Sequence, residues 1–300
     1  MKENKKSLLE LLSVPGRSDA ILEAIREGAD VNETSENGFT PLMMAAVLND
    51  EPSVVEALID AGADIDAETR EGMTALMWAL LTETRDPDDA RLGEFIQRDR
   101  RRAETATLLV KRGASLDVTC YSPRRKRWTP LLFATLDPDR NAAVISHMLT
   151  AGAWADPRTE EGLTPLFHAA AFGRFSGTLH DLIQAGAEVN ARGNQEGREG
   201  WTPLFYALNS PCKSLPVVEE LLKNGAAVNM LSDAGQTPLF FAALIEDTPA
   251  FVHLLLKAGA DVHVQDKNGC TAVDCALSRN SKNVVSLLRK AEAAKNTTPL

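Results

Sequence analysis

The stretch GADVNETSENGFTPL, residues 28–42, decides the fold because variants of it recur along the chain. Each variant begins with a glycine, at Gly28, Gly62, Gly113, Gly152, Gly186, Gly225 and Gly259. Each ends with Thr-Pro-Leu or a close equivalent, whose threonine is Thr40, Thr74, Thr129, Thr164, Thr202, Thr237 or Thr271. The usual interval is about 34 residues, and a fixed period of this size is typical of one supersecondary unit repeated in tandem.

The positions within each repeat predict a helix, a turn, a second helix and a hairpin. Threonine followed by proline predicts a helix N-cap with proline at the first helical position. The fifth residue after each threonine is always alanine, which predicts close approach of another backbone: Ala45, Ala79, Ala134, Ala169, Ala207, Ala242 and Ala276. The repeat's glycine predicts a left-handed residue that ends the second helix, and Asn37-Gly38 predicts a tight hairpin turn.

These units resemble ankyrin repeats, whose pattern runs from Gly-x-Thr-Pro-Leu-His-x-Ala-Ala to Leu-Leu-x-x-Gly-Ala-Asp-Val-Asn. The resemblance covers about residues 5–292 and implies an all-α ankyrin-repeat solenoid of about eight stacked helix-turn-helix units joined by β-hairpin-like loops. The chain departs from the pattern because its histidine is absent from every copy. The hairpin glycine is also replaced once, by Arg127.

The repeats divide the chain into four predicted parts. They are an N-terminal capping unit (1–35), six repeats (36–266), a C-terminal capping repeat (267–292) and a frayed tail (293–300). Two hairpins are lengthened, at about 117–128 and 190–201, and an insertion occupies about 82–104. Ser7 with Glu10 predicts a capping box at the first helix.

The insertion favours one long second helix over residues 87–111. Asp86 before Pro87 is typical of a helix start, and Leu92, Phe95 and Ile96 would form an apolar face. That face could project as a binding surface or fold back on neighbouring repeats, and the sequence leaves both open.

Composition limits the function classes. The net charge of −10 argues against general nucleic-acid affinity, and four scattered cysteines favour a reducing compartment. No stretch approaches the length of a membrane span, and the N-terminal apolar run is too short for a signal peptide. We therefore expect a cytoplasmic protein, monomeric by itself. The basic run 123–127 resembles a nuclear-import signal, which leaves a nuclear location open.

The sequence predicts no enzyme, cofactor or metal site. None of its five histidines stands in a metal-ligand spacing, and no phosphate-binding glycine loop is present. Cys270, Cys275 and His263 have the wrong spacing for a closed metal site. Asn190 resembles the asparagines that are hydroxylated in eukaryotic ankyrin proteins.

The resemblance also predicts the binding face. In ankyrin proteins the residue before the threonine points from the hairpin into a concave groove. That row reads Phe39, Met73, Trp128, Leu163, Trp201, Gln236 and Cys270, so its first five members are large and apolar. The predicted partner-binding residues are Phe39, Met73, Trp128, Leu163, Trp201, Arg124, Arg125 and Lys126. Alternatively, each aromatic side chain packs on the neighbouring hairpin and stabilises the stack.

These features predict a scaffold, adaptor or inhibitor that binds another protein along the concave groove. One alternative is the binding of a charged ligand or nucleic acid through the basic segment 98–127, which salt titration would distinguish. A further alternative, an enzyme with an unrecognised site, would lose activity when one histidine or cysteine is changed.

Overall fold

The computed structural model describes residues 7–14, 16–48, 52–81, 101–122, 125–245 and 249–296. Within these ranges it forms sixteen helices and no strand, which confirms the predicted all-α class. The helices are α1 (Leu8–Leu12), α2 (Ser18–Arg26), α3 (Pro41–Leu48), α4 (Pro52–Asp60), α5 (Ala75–Leu80), α6 (Arg101–Lys111), α7 (Pro130–Ala134), α8 (Ala142–Thr150), α9 (Pro165–Phe172), α10 (Gly177–Gln184), α11 (Pro203–Leu208), α12 (Leu215–Lys223), α13 (Pro238–Leu244), α14 (Ala250–Lys257), α15 (Ala272–Ser278) and α16 (Lys282–Asn296).

The chain divides into two compact halves, Met1–Pro157 with α1 to α8 and Arg158–Leu300 with α9 to α16. Within each half, odd-numbered helices stack on odd-numbered helices, and even-numbered helices stack on even-numbered ones. The repeated alanine is buried in every copy. Because it has no side chain beyond the β-carbon, it lets neighbouring first helices approach closely, as the sequence predicted.

Left-handed glycines end the second helices, as predicted. Gly62 has a φ of +91°, and its N–H donates to the carbonyl of Ile59 at 3.0 Å. The next N–H, of Ala63, donates to the carbonyl of Leu58 at 2.9 Å. Together these two bonds form a Schellman motif, which satisfies carbonyls that would otherwise be left over at the helix end.

The hairpins are closed by tight turns. In the first, the N–H of Ser35 donates to Phe39 and the N–H of Gly38 donates to Ser35, both at 2.9 Å. Gly38 has a φ of +82°. Arg127 takes the same left-handed conformation at the position where the family pattern has glycine, with a φ of +64°.

The repeat threonines stand at helix N-caps as predicted, with proline in the first turn where Thr-Pro occurs, but only three of their hydroxyls make a capping bond. The hydroxyls of Thr40, Thr74 and Thr271 accept the predicted N–H bond. The other four make no side-chain capping bond: Thr129, Thr164, Thr202 and Thr237. In two of these repeats the threonine carbonyl is the acceptor instead of the hydroxyl. The N–H of Phe167 donates to the carbonyl of Thr164, and the N–H of Phe240 donates to the carbonyl of Thr237.

Ser7 caps the first helix as predicted, since its hydroxyl accepts from the Leu9 N–H at 3.2 Å, but Glu10 does not complete the predicted capping box. The carboxylate of Glu33, from the following hairpin, accepts from the Ser7 hydroxyl at 2.6 Å and from the Leu9 N–H at 2.9 Å. The first helix is therefore capped by Ser7 and by a tertiary contact from Glu33, and local spacing encodes only the first of these. At the other end of the chain, α16 continues to Asn296, past residue 293 where the tail was predicted to begin.

Hairpin asparagines link successive repeats. The Asn32 amide donates to the carbonyl of Gly62 at 3.0 Å, and its oxygen accepts the N–H of Asp64 at 2.8 Å. Asn190 makes the equivalent bonds to Gly225 and Ala227. Each asparagine thus forms hydrogen bonds with a backbone carbonyl and a backbone N–H in the loop that follows the next repeat's second helix. The hydroxylation suggested by the resemblance of Asn190 stays a prediction.

Arg102 joins the ends of two helices near the insertion. Its buried guanidinium donates to the carbonyl of Leu81 at 2.8 Å and to that of Val47 at 3.4 Å, close to the C-terminal ends of α5 and α3. A cation is favourable there because helix C-termini carry partial negative charge. The predicted helical extension over 87–100, with its apolar face, lies outside the described residues.

Candidate protein-binding surface

In the N-terminal half, the residues that directly precede the repeat threonines are partly buried in the core and partly exposed at the surface. The Met73 side chain is only 4% exposed. The Phe39 ring is half-buried and lies 4.9 Å, centroid to centroid, from that of Trp78. Trp128 is also half-buried. Within this half, Phe39 and Trp128 therefore reach the surface, whereas Met73 packs inside.

The first lengthened hairpin, residues 113–129, is held by a set of backbone bonds and is called the basic hairpin below. The N–H of Cys120 donates to the carbonyl of Trp128 at 3.1 Å, and the N–H of Arg127 donates back to Cys120 at 3.0 Å. The Tyr121 N–H donates to Glu71 of the preceding hairpin at 2.6 Å. The loop is thus fixed both internally and against its neighbour.

Cationic and aromatic side chains cover this hairpin. The guanidinium of Arg125 lies 5.8 Å from the ring centroid of Trp128 and 5.4 Å from that of Phe133, within the range of cation–π attraction. Lys126 and Arg127 are exposed, and Tyr121 is 64% exposed. Predicted Arg124 lies outside the described residues.

A buried thiol lies beneath the tip of the basic hairpin. The side chain of Cys120 is fully buried, and its sulfur donates to the carbonyl of Arg125 at 2.7 Å. Burial raises the pKa of the Cys120 thiol, because the thiolate would be poorly solvated there. This cysteine therefore supports the loop and is not a reactive nucleophile.

The second lengthened hairpin, residues 186–202, repeats this backbone design in the C-terminal half. The N–H of Gly193 donates to Trp201 and that of Gly200 donates to Gly193, both at 2.9 Å. The Asn194 N–H donates to Glu161 of the preceding hairpin at 2.7 Å. The guanidinium of Arg198 lies 5.3 Å from the Trp201 ring centroid, as Arg125 lies over Trp128.

Trp201 itself is core. Its side chain is 8% exposed, and the ring centroids of Phe241, Tyr206 and Phe205 lie 4.7, 5.5 and 5.8 Å from its own. Leu163 is buried in the same cluster. For these two residues the packing supports the alternative in which the row stabilises the stack, and their partner-binding role stays a prediction.

The hydroxyl of Tyr206, which is the polar group of this cluster, also has a hydrogen-bond partner. The hydroxyl of Tyr206 donates to the amide oxygen of Gln195 at 2.6 Å. Burial raises the pKa of Tyr206, so the hydroxyl keeps its proton and the hydrogen bond persists at neutral pH. The second lengthened hairpin is thus anchored to α11 by stacking and by hydrogen bonding.

In the described parts of the basic segment 98–127, the cations do not all reach solvent. Arg102 is buried. Arg112 pairs with Asp60 at 2.6 Å and lies 3.9 Å from Glu56, so its charge is partly neutralised. Among the described residues, the exposed cations of this segment include Lys126 and Arg127 on the basic hairpin. The burial of Arg102 and the pairing of Arg112 could not be predicted from the sequence, because both depend on residues that are distant in the chain.

Three exposed aromatic side chains were not predicted as surface features. They are Tyr121, Trp154 and Phe175. A signal existed for Trp154, because it follows a Gly-Ala where the other repeats have aspartate, serine, glutamate or alanine. Tyr121 gave no such signal, because its ring position over Gly72 depends on the neighbouring hairpin.

Stacked helix pairs, closed by left-handed glycines and joined by tight turns, define a helical-repeat protein. The family model described as ankyrin repeats (3 copies) matches residues 9–89, 141–232, 175–266 and 210–299. The chain therefore belongs to the ankyrin repeat family, which generally mediates protein–protein interaction and is typically non-enzymatic. The helices α6 and α7 occupy the stretch 90–140, which the family model leaves unmatched.

Curated relatives agree with this assignment. Mouse Rabankyrin-5 is 28% identical over 159 residues, which cover 50% of this chain and 13% of the relative. Human Rabankyrin-5 is 31% identical over 143 residues, covering 44% and 12%. A putative ankyrin repeat protein of fowlpox virus is 31% identical over 132 residues, covering 43% and 37%. The chain thus spans well under half of each relative's length.

Two further features are absent from the described part of the chain. None of its helices is long and apolar enough to cross a membrane. No group of three or more histidine, cysteine, aspartate or glutamate side chains there is arranged to hold a metal ion.

Proposed function

We propose that this chain is a scaffold, adaptor or inhibitor that binds a partner protein on the hairpin face of its repeats, where ankyrin proteins have their concave groove. The observation that carries the proposal is the surface of the N-terminal half. There Phe39, Tyr121 and Trp128 keep part of their rings exposed. They stand on turns whose backbone hydrogen bonds are already made within the free chain.

Two physical properties suit this surface to recognition. Tryptophan, tyrosine and arginine are favoured anchors in interfaces, because each buries a large area with few rotatable bonds. The loops are already ordered, so little conformational entropy is lost when a partner docks. A rigid array of aromatic side chains on fixed turns can therefore bind without rearranging.

The alternative of a nucleic-acid or charged-ligand surface over 98–127 has less support. Arg102 is buried and Arg112 is paired, so fewer charges reach solvent than the sequence count implies. We further propose a cytoplasmic location. All four cysteines are free thiols, which is consistent with a reducing compartment.

A partner identified by affinity purification and then purified would test the proposal. We expect the double variant Phe39→Ala with Trp128→Ala to weaken its affinity at least about tenfold, because each lost anchor costs on the order of 1–2 kcal/mol. Isothermal titration calorimetry would measure the affinity, and circular dichroism would check the fold.

Trp154→Ala is the matched control, because Trp154 is an exposed tryptophan of the same half that lies outside the predicted row. Its affinity should equal that of the wild type. Unchanged affinity in the folded double variant would refute the proposal, as would an equal loss in the control.

A further inference from the structure

The two lengthened hairpins have the same backbone bonds but opposite charge. Residues 120–128 contain four cations and no acid. The equivalent residues 193–201 contain Glu196, Arg198 and Glu199. Both loops close with matching N–H to carbonyl bonds. The backbone conformation therefore does not require the cations of the basic hairpin.

Arg127 has an unfavourable backbone conformation. Its φ of +64° is a left-handed conformation, which is sterically unfavourable for a residue with an L side chain. Gly200, at the equivalent place, has a φ of +74° without that cost. Strained residues of this kind are concentrated at functional sites. The retention of a cation here, together with the charge contrast, points to a role in binding.

The chemistry of the surface defines the class of partner. Lys126 and Arg127 are exposed, and Arg125 lies on the aromatic rings of Trp128 and Phe133. Ammonium and guanidinium groups form charge-assisted hydrogen bonds with carboxylates. The exposed ring of Tyr121 adds an apolar surface next to these charges.

The overall charge favours a short acidic segment over a nucleic acid. The chain carries a net charge of −10, so a long polyanion would meet repulsion beyond the hairpin. A short segment of glutamates and aspartates would extend little beyond the cations of residues 125–127.

We infer that the basic hairpin binds an acidic segment of a partner protein, whose carboxylates contact Lys126 and Arg127 while an apolar side chain packs beside Tyr121 and Trp128. This inference rests on the proposed function and adds to it the chemistry of the partner.

A direct test uses the full chain and a fluorescein-labelled synthetic peptide of glutamates with a central leucine, followed by fluorescence anisotropy. The double variant Lys126→Glu with Arg127→Gly converts Arg125-Lys126-Arg127-Trp128 into the tetrapeptide found at 198–201. Because the new glycine suits the left-handed position, this variant should fold at least as well as the wild type. We expect it to bind the peptide about tenfold more weakly, since several charge-assisted contacts are lost.

The matched control changes the net charge equally but elsewhere. Lys257→Glu with Lys267→Gln alters exposed lysines of the C-terminal half and should leave peptide affinity near that of the wild type. A peptide in which glutamine replaces glutamate should bind weakly to all three proteins. A single-stranded oligonucleotide of similar length should also bind weakly to all three.

Equal binding of the acidic peptide to the wild type and the hairpin variant would overturn the inference. Tighter binding of the oligonucleotide than of the peptide would also overturn it. If the acidic peptide fails while a purified partner still depends on Phe39 and Trp128, the inference falls and the proposed function stands. If the peptide binds as expected while the affinity for that partner does not change when Phe39 and Trp128 are replaced, the proposed function is refuted. The specificity of the hairpin for acidic peptides would then still hold.

Discussion

The basic hairpin and the second lengthened hairpin show how one loop design can serve two purposes. In each, an arginine stacks on a tryptophan three residues later, and the same backbone bonds close the loop. Trp201 is buried because Phe241 of the next repeat lies 4.7 Å away, centroid to centroid. Trp128 stays half-buried. The contact with Phe241, and not the conformation of the loop, therefore accounts for the burial of Trp201.

The largest expected difference between the hairpins is the effect of removing each tryptophan. Trp201→Ala should lower the free energy of unfolding by about 3–5 kcal/mol, because a buried ring leaves a cavity. Trp128→Ala should cost only about 1–2 kcal/mol, because part of its ring is already in water. Urea unfolding followed by circular dichroism would measure both.

Trp201→Phe provides the control for this pair. It keeps most of the buried apolar volume and should recover more than half of the loss. Similar destabilisation by Trp201→Ala and Trp128→Ala would mean that the two hairpins do not differ in the way their packing indicates.

A smaller difference should appear at the left-handed residue before each tryptophan. Gly200→Ala should lower the free energy of unfolding by about 2 kcal/mol, since the φ of +74° disfavours any β-carbon. The new β-carbon would also overlap the Arg192 guanidinium and the Asp233 carboxylate, which pair at 3.0 Å. Thermal unfolding would report the change as a lower Tm.

Gly197→Ala in the same hairpin separates these two causes. Gly197 also has a φ of +74°, but a β-carbon there would meet no atom within 4 Å. Its alanine variant should therefore lose only the conformational part, about 1 kcal/mol. A loss at Gly197 as large as that at Gly200 would show that the clash contributes nothing.

The sequence predicted the features that recur in every repeat. Left-handed glycines such as Gly62, and the buried alanine on each first helix, follow from local geometry that is the same in each copy. The burial of Trp201 was not predictable in this way, because it depends on Phe241, a residue that breaks no pattern of its own.

The partners of charged side chains were the second feature that could not be predicted from the sequence. Ser7 does cap the first helix, yet the carboxylate comes from Glu33 of the next hairpin and not from Glu10 as predicted. Arg102 counted as a surface charge, yet it is buried against carbonyls of two helix ends. In each case the partner is distant in the chain, so spacing alone could not find it.

The smallest expected effect concerns Arg127 itself. Arg127→Gly should raise the free energy of unfolding by about 0.5 kcal/mol, because relief of the left-handed strain exceeds the entropy lost in fixing a glycine. Arg127→Ala removes the same charge but keeps a β-carbon at a φ of +64°, so it should be about 1 kcal/mol less stable than the glycine variant. Urea titrations of the three proteins in parallel would resolve this order. If the glycine variant is instead the least stable, the arginine side chain must stabilise the hairpin, and the strain at this position would no longer indicate a binding role.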